Sequence, residues 1–240
     1  MDYIAFTKKW MDIAHKRNLI PPAYRQVQYL SSKNVPSGTY PPWIDTGLKA
    51  DIDCTYIITG RSASINDTST KPIMGDGASK TDSTFGIWMG RKKGVGVSAS
   101  FGQGASPYET GYITSIDTTE WHTYKAVLST ATLYCDGEVI GTATPGTYSN
   151  SVHLVLFGQW RNQNNSLRPY FIFVGDVSEF KAFKNGVLIR NLKPVVRISD
   201  NKPGFYDLCR STCSITNSPF YVNAETHKPT DFEAVEISLS

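Results

Sequence analysis

Asp231, Glu233 and Glu236 in "DFEAVE" are the carboxylates whose spacing best suits paired acid and base chemistry. Cleaving a glycosidic bond takes two carboxyl groups at a set separation, one protonating the leaving oxygen while the other attacks the sugar or activates water. Here Asp231 and Glu233 alternate with Phe232 and Ala234, as on any half-exposed strand. Nucleophilic chemistry has less to work with. His15, His122, His153 and His227 stand apart from any G-x-S-x-G elbow, and the glycines of "GRKKGVGVSASFGQG" do not form a phosphate loop that opens a helix. His122 follows Trp121 at the start of a strand-like run, where a structural role is simplest. Cys54 and Cys135 lie in "DIDCTYIIT" and "ATLYCDGEVI" and read as small buried hydrophobes. Cys209 and Cys213 are near enough for a metal or a disulfide but have no histidine at a zinc-site spacing. These residues point to a protein that is not an enzyme.

Binding is the more natural use. "GQWRNQNNSLRPY" places Trp160, Arg161, Asn162, Gln163, Asn164, Asn165 and Tyr170 in an expected loop between two apolar runs. Aromatic faces beside amides and a guanidinium suit sugar rings, which have an apolar face and hydroxyl edges. The plainer reading is that Trp160 caps the core while the Asn run turns the chain.

Such groups need a scaffold. Residues 2 to 18 carry Ile4, Phe6, Trp10, Ile13 and Ala14 at steps that fit one face of a short helix, and Pro21-Pro22 ends it. That helix either packs on its own domain or docks on a partner, and residues 1 to 27 are taken as an attachment segment. Beyond it the period changes to two. "TYIITG", "FGIWMG", "VGVSASFG", "TYKAVLS", "ATLYCDG", "HLVLFGQW", "YFIFVGDVSEFKAF" and "GVLIRNL" are strand-length runs bounded by Gly, Asn, Asp or Pro. Asp136-Gly137 and Asn185-Gly186 predict tight hairpin turns, because type I′ geometry needs positive φ at both central residues. Residues 62 to 84 form a polar stretch expected to be a loop or a loosely paired edge. The whole predicts an all-β, two-sheet antiparallel sandwich over residues 28 to 240.

Composition narrows the partners. A net charge of +3 over 240 residues gives no nucleic-acid footprint, and Arg91-Lys92-Lys93 reads as a solvated turn. No run of about 18 apolar residues is present to span a bilayer. The opening residues do not form a secretory signal, so synthesis in a cytoplasm is expected.

Three segments resemble one family. "QYLSSKNVPSGTYPPWIDTGLKA" is similar to the opening strand pair of concanavalin A-like, laminin-G-like domains of phage and gut-bacterial proteins. "EWHTYKAVLSTATLYCDGEVIG" resembles their centre, and "GDVSEFKAFKNGVLIRNLKPVVRISDNKPGFYDLCRSTCSITNSPFY" their closing segment. The resemblance spans about residues 28 to 222 and implies a jelly-roll sandwich. Glycanases on that fold use Glu-x-Asp-x-x-Glu, an order that Asp231, Glu233 and Glu236 do not follow. Laminin-G-like domains and lectins often hold calcium at a sheet rim. Asp76, Asp82, Asp117 and Asp136 offer oxygens for a structural calcium, though each is more simply a turn residue. No other cofactor is expected.

The function so implied is that of a bacteriophage virion surface protein, as a head decoration, head-fibre or tail-fibre component. The expected partners are other virion proteins through Ile4, Phe6, Trp10 and Ile13, host-surface polysaccharide through the Trp160 stretch, and further copies of the chain. The alternatives are a carbohydrate-binding lectin or adhesion module of a bacterial surface protein and, less in keeping with the residues, a glycoside hydrolase.

Overall fold

A computed structural model of the chain describes residues 20–32, 42–63, 72–77, 85–91, 94–102, 109–148, 152–163, 166–209, 220–221 and 232–237. The helix expected within residues 2 to 18, with Ile4, Phe6, Trp10 and Ile13, lies outside them. Within them the chain is almost entirely β. The first ten strands are β1 (Tyr24–Gln26), β2 (Tyr29–Ser31), β3 (Ile44–Asp45), β4 (Cys54–Ser62), β5 (Pro72–Gly75), β6 (Phe85–Arg91), β7 (Gly94–Phe101), β8 (His122–Val127), β9 (Thr132–Cys135) and β10 (Glu138–Thr142). The remainder are β11 (Val155–Leu156), β12 (Gly158–Gln163), β13 (Ser166–Ile172), β14 (Gly175–Lys184), β15 (Val187–Arg197), β16 (Lys202–Asp207), β17 (Phe220–Tyr221) and β18 (Glu233–Val235).

Every pairing is antiparallel, and two sheets face each other. The larger runs β10-β9-β8-β4-β14-β15-β16-β17, with β1 on β15 and β2 between β14 and β18; the smaller runs β3-β11-β5-β6-β7. This is the two-sheet antiparallel sandwich that the alternation predicted, and it matches the jelly roll that the resemblance implied. Strand β4 shows why. Cys54, Tyr56, Ile58, Gly60 and Ser62 are buried while Thr55, Ile57, Thr59 and Arg61 between them are half-buried, as a pleat with one face on the core requires. Tyr56 stacks between Phe85 of the smaller sheet and Phe180 of the larger, at ring-centre distances of 5.2 Å and 6.2 Å. Phe157, Phe173, Phe205 and Phe232 form a second knot of rings in the same core.

The two hairpin turns match expectation. Asp136 and Gly137 have φ of +50° and +94°, and Asn185 and Gly186 have +50° and +75°. Three expectations need correction. Within the polar stretch 62 to 84, Pro72–Gly75 is a buried strand paired on both sides, to β6 and to β11. Ile73 and Met74 are fully buried and carry it into the core despite their polar neighbours. The Trp160 stretch is an extended hairpin rather than a loop, with Trp160 opposite Pro169, Arg161 opposite Arg168 and Gln163 opposite Ser166. Finally, the segment ending at residue 27 already contains sandwich. Tyr24–Gln26 pairs with Val195–Arg197, and Val27 is buried in the core.

The two sheets differ in what they show to solvent. Trp88, Ser98 and Ser100, on the side of the smaller sheet away from the core, are at most 5% exposed, and the Trp88 indole N–H donates to Gln159 Oε1 at 3.1 Å. The larger sheet keeps much of its outer face half open. At one end, Val195, Tyr206, Leu208 and Phe220 form a second apolar cluster there, with Ile20 and Tyr24 packed on it.

Phe180 sits where these layers meet. Phe180→Ala removes a fully buried ring from the Tyr56 stack. The expected loss is about 3 to 5 kcal/mol of unfolding free energy, read as a lowered urea midpoint at an unchanged slope.

Candidate functional site

Arg61 ends the outward row of β4, and around it the larger sheet's outer face gathers its most unusual side chains. The Arg61 guanidinium carbon lies 4.9 Å from the Trp121 ring centre and 5.6 Å from that of Tyr29. Those two rings meet edge to face at 5.1 Å. Tyr29 comes from β2, Arg61 from β4 and Trp121 from the residue just before β8, so the sheet assembles the patch from three strands. Both rings are half-buried. Each contact of a guanidinium with a ring face contributes roughly 0.5 to 1 kcal/mol at such exposure.

Arg61 is held from beneath. Its Nε–H donates to Asp176 Oδ2 at 2.7 Å, and the Asp176 side chain has no exposure while that of Arg61 is 28% exposed. The Asp176 bond and charge raise the guanidinium's pKa above its ordinary value against the opposing effect of burial. A planar cation with five donors, two of them in bonds to Asp176 and the Tyr29 hydroxyl, still presents N–H groups outward.

A histidine network lies at the start of β8, where His122 shares the core-side parity of Tyr124 rather than the outer face of the patch. His122 Nδ1 is 2.7 Å from Asp136 Oδ2, and His122 Nε2 is 3.1 Å from the Asp117 carbonyl oxygen. The Thr123 amide donates to Asp136 Oδ1 at 2.8 Å. Asp117 is fixed in turn, its Oδ1 accepting the Thr119 amide at 2.9 Å and the Thr119 hydroxyl at 2.6 Å. Those two bonds hold the Asp117 carboxyl below its usual range. Burial works to raise Asp136, but the His122 bond, the Thr123 amide and the His122 charge prevail and hold it low. The neighbouring Cys135 thiol is pushed up to about 12, by burial first and by the Asp136 charge second.

The residues singled out from sequence fall as follows. Trp160, Arg161, Asn162 and Gln163 lie on β12 and Tyr170 on β13, in one hairpin; their side chains and all of Asn164 lie outside the described residues. Of the four calcium donors, Asp117 and Asp136 converge on His122. Asp76 is fully buried with Oδ1 accepting the Phe85 amide at 2.6 Å, and Asp82 lies outside the described residues. Calcium takes about six to eight oxygen ligands. The His122 network offers a nitrogen and a sulfur among its donors, so it does not fit that ion. Glu233 is on β18 opposite Ser31, Glu236 is ion-paired with Arg25, and Asp231 lies outside the described residues. Cys54 and Cys135 are buried, as expected. Cys209 is also buried and its thiol donates to the Leu188 carbonyl at 3.0 Å, while Cys213 lies outside.

Tyr29 and Arg61 escaped the sequence reading because they lie 32 residues from each other and Arg61 lies 115 residues from Asp176. The available signal was small: an arginine at an outward position immediately after a buried strand run, and an aspartate among the apolar residues of "VGDVSEF".

Among solved structures, the chain is similar to mouse laminin alpha1 chain domains LG4-5. The identity is 15%, over 68% of this chain and 44% of that one, at a TM-score of 0.43. It is also similar to the native heptameric SAP-like pentraxin from Limulus polyphemus, at 10% identity over 68% of this chain and 79% of that one and a TM-score of 0.37. The chain thus spans less than half the length of the laminin fragment. No protein-family model matches it, and no curated protein does.

Arg61→Met keeps the stem's volume and removes the charge above Asp176. The expected cost is about 2 to 3 kcal/mol, below that of a fully buried pair because Arg61 keeps some solvent contact. Urea denaturation of the variant beside wild type measures it.

Proposed function

We propose that the chain is a surface adhesion module that binds carbohydrate on the outer face of its larger sheet, around Trp121. One observation carries this reading. A half-exposed Trp and Tyr are locked at fixed angles around an arginine whose own position is set by a fully buried carboxylate. Rigid aromatic faces stack on the apolar side of a sugar ring, and the outward N–H groups of Arg61 can donate to its hydroxyls or to a carboxylate substituent. The same face continues through Lys125, whose ammonium lies 4.2 Å from the Tyr134 ring centre, and through Lys181 and Lys193 on either side of Glu179. Such a surface holds its ligand by contact, and on that ground we propose that the chain is not an enzyme.

The setting we propose is the surface of a bacteriophage virion, as a head decoration or fibre component attached through the segment ahead of β1. The supports are the ordered series of segments resembling phage sandwich domains and the nearly neutral, Ser/Thr/Asn-rich composition. Closed-symmetry association of several copies would add weak single-site contacts into firm attachment.

Two measurements test these readings. On a glycan array, wild type is expected to bind a defined set of polysaccharides and Trp121→Ala to lose at least about tenfold of that signal, the scale of one lost stacking contact. Binding by wild type that is indifferent to Trp121→Ala but lost in Trp160→Ala would move the site to the β12–β13 hairpin, and no binding at all would end the adhesion reading. For the setting, antibodies against the chain are expected to label intact particles in electron micrographs. Particles that lack the chain by mass spectrometry would remove the virion assignment.

A further inference from the structure

Both ring nitrogens of His122 face oxygen acceptors, Asp136 Oδ2 at 2.7 Å from Nδ1 and the Asp117 carbonyl at 3.1 Å from Nε2. A neutral imidazole has one N–H and one lone pair. With the N–H directed to the Asp117 carbonyl, the Nδ1 lone pair and the Asp136 carboxylate point into the same gap. In that tautomer a cation between them, a proton or a metal ion, satisfies both. The Cys135 thiol adds a third donor atom. Its sulfur lies 3.8 Å from the same Oδ2, and the donor atoms of His122, Cys135 and Asp136 are all within 4.8 Å of one another. Without a metal the thiol only donates to the Asp136 carboxylate, whereas a zinc-type ion takes nitrogen, sulfur and oxygen ligands together. We propose that His122 Nδ1, Cys135 Sγ and Asp136 Oδ2 form a site for a zinc-type divalent transition-metal ion, with a fourth position left to water.

Each ligand is oriented by a second contact, as metal-binding histidines and carboxylates generally are. The Asp117 carbonyl fixes the ring of His122, and Asp117 is itself pinned by Thr119. The Thr123 amide holds Asp136 Oδ1, which aims Oδ2 at the gap. The backbone supplies the rest. Consecutive strand residues point to opposite faces, but Asp136 is in the left-handed region at φ +50°, so its side chain returns toward Cys135. Bonds of about 2.0 to 2.3 Å around a tetrahedral ion set ligand atoms roughly 3.3 to 3.7 Å apart. The His122–Asp136 gap therefore opens on binding and the Cys135–Asp136 gap closes slightly, while the His122 and Cys135 donor atoms, within 4.8 Å of each other, draw together by up to about 1 Å. Asp136 is 54% exposed on its side chain and gives the ion a way in. Binding breaks the Cys135 S–H bond and releases that proton to solvent; His122 binds through its Nδ1 lone pair, and no electron is transferred.

The test uses the full chain, reduced and stripped of metal, titrated with Co2+. One equivalent is expected to produce the near-ultraviolet absorption of a cobalt–thiolate bond, and Zn2+ to abolish it. The band is expected to vanish in Cys135→Ser and to persist in Cys209→Ser. A wild-type chain with no band, or a band that survives Cys135→Ser, overturns the site. Should Cys135→Ser fail to fold by circular dichroism, Asp136→Asn at the exposed rim replaces it. A fall in Co2+ affinity of at least about tenfold then supports the site, and an unchanged affinity overturns it.

Discussion

Strand β4 obeys a strict period of two, and the rest of the molecule depends on that constraint. One set of its side chains, Cys54, Tyr56, Ile58 and Gly60, is committed to the space between the sheets, and the other, Thr55, Ile57, Thr59 and Arg61, is thereby committed to the outer face. A slip of one residue would exchange the two sets, placing a guanidinium in the core and a tyrosine stack in water. Neighbours on both sides hold the register, through Thr55–Gly60 against β8 and a nine-residue pairing with β14. Core and surface patch are therefore two consequences of one alignment.

Gly60 illustrates how closely the two are joined. A Cβ there would lie 2.6 Å from the Asp176 carbonyl oxygen and 2.7 Å from the Ile73 side chain. The absence of a side chain lets β14 come near enough for Asp176 to sit under Arg61. On the far side of the core, the smaller sheet is covered on its outer face as well, with Gln159 against Trp88. The larger sheet is thus the one with a broad, partly open surface, and the aromatic, cationic and histidine groups lie on it or at its rim.

Local features of the sequence were legible because they depend on neighbours in the chain. The turns at Asp136-Gly137 and Asn185-Gly186, and the long strands β4, β8, β14 and β15, rest on backbone φ preferences and on side-chain alternation, both written within ten residues. Pro72–Gly75 was hidden because a four-residue buried strand with polar flanks offers no alternation to detect. The Trp160 segment misled for the opposite reason, since Arg, Asn and Gln read as loop composition while strand pairing is satisfied by backbone groups alone. Arg61 meets Asp176 only through pairing of strands distant in sequence, and His122 meets Asp136 across the adjacent strands β8 and β9, 14 residues along the chain. Individual residue types marked Trp121, His122 and Asp136 as notable, but nothing local showed that they share a rim.

The pairing of Tyr24–Gln26 with Val195–Arg197 has a mechanical consequence. Tension drawn along β1 from its N-terminal end runs parallel to β15, so the hydrogen bonds joining the two strands are loaded side by side rather than peeled one after another. Tyr24 adds ring contacts at 4.9 Å to Tyr206 and 5.1 Å to Phe220, which resist the same sliding. A domain tethered through this strand would carry a pull in shear, the geometry in which a short β pairing withstands the most force.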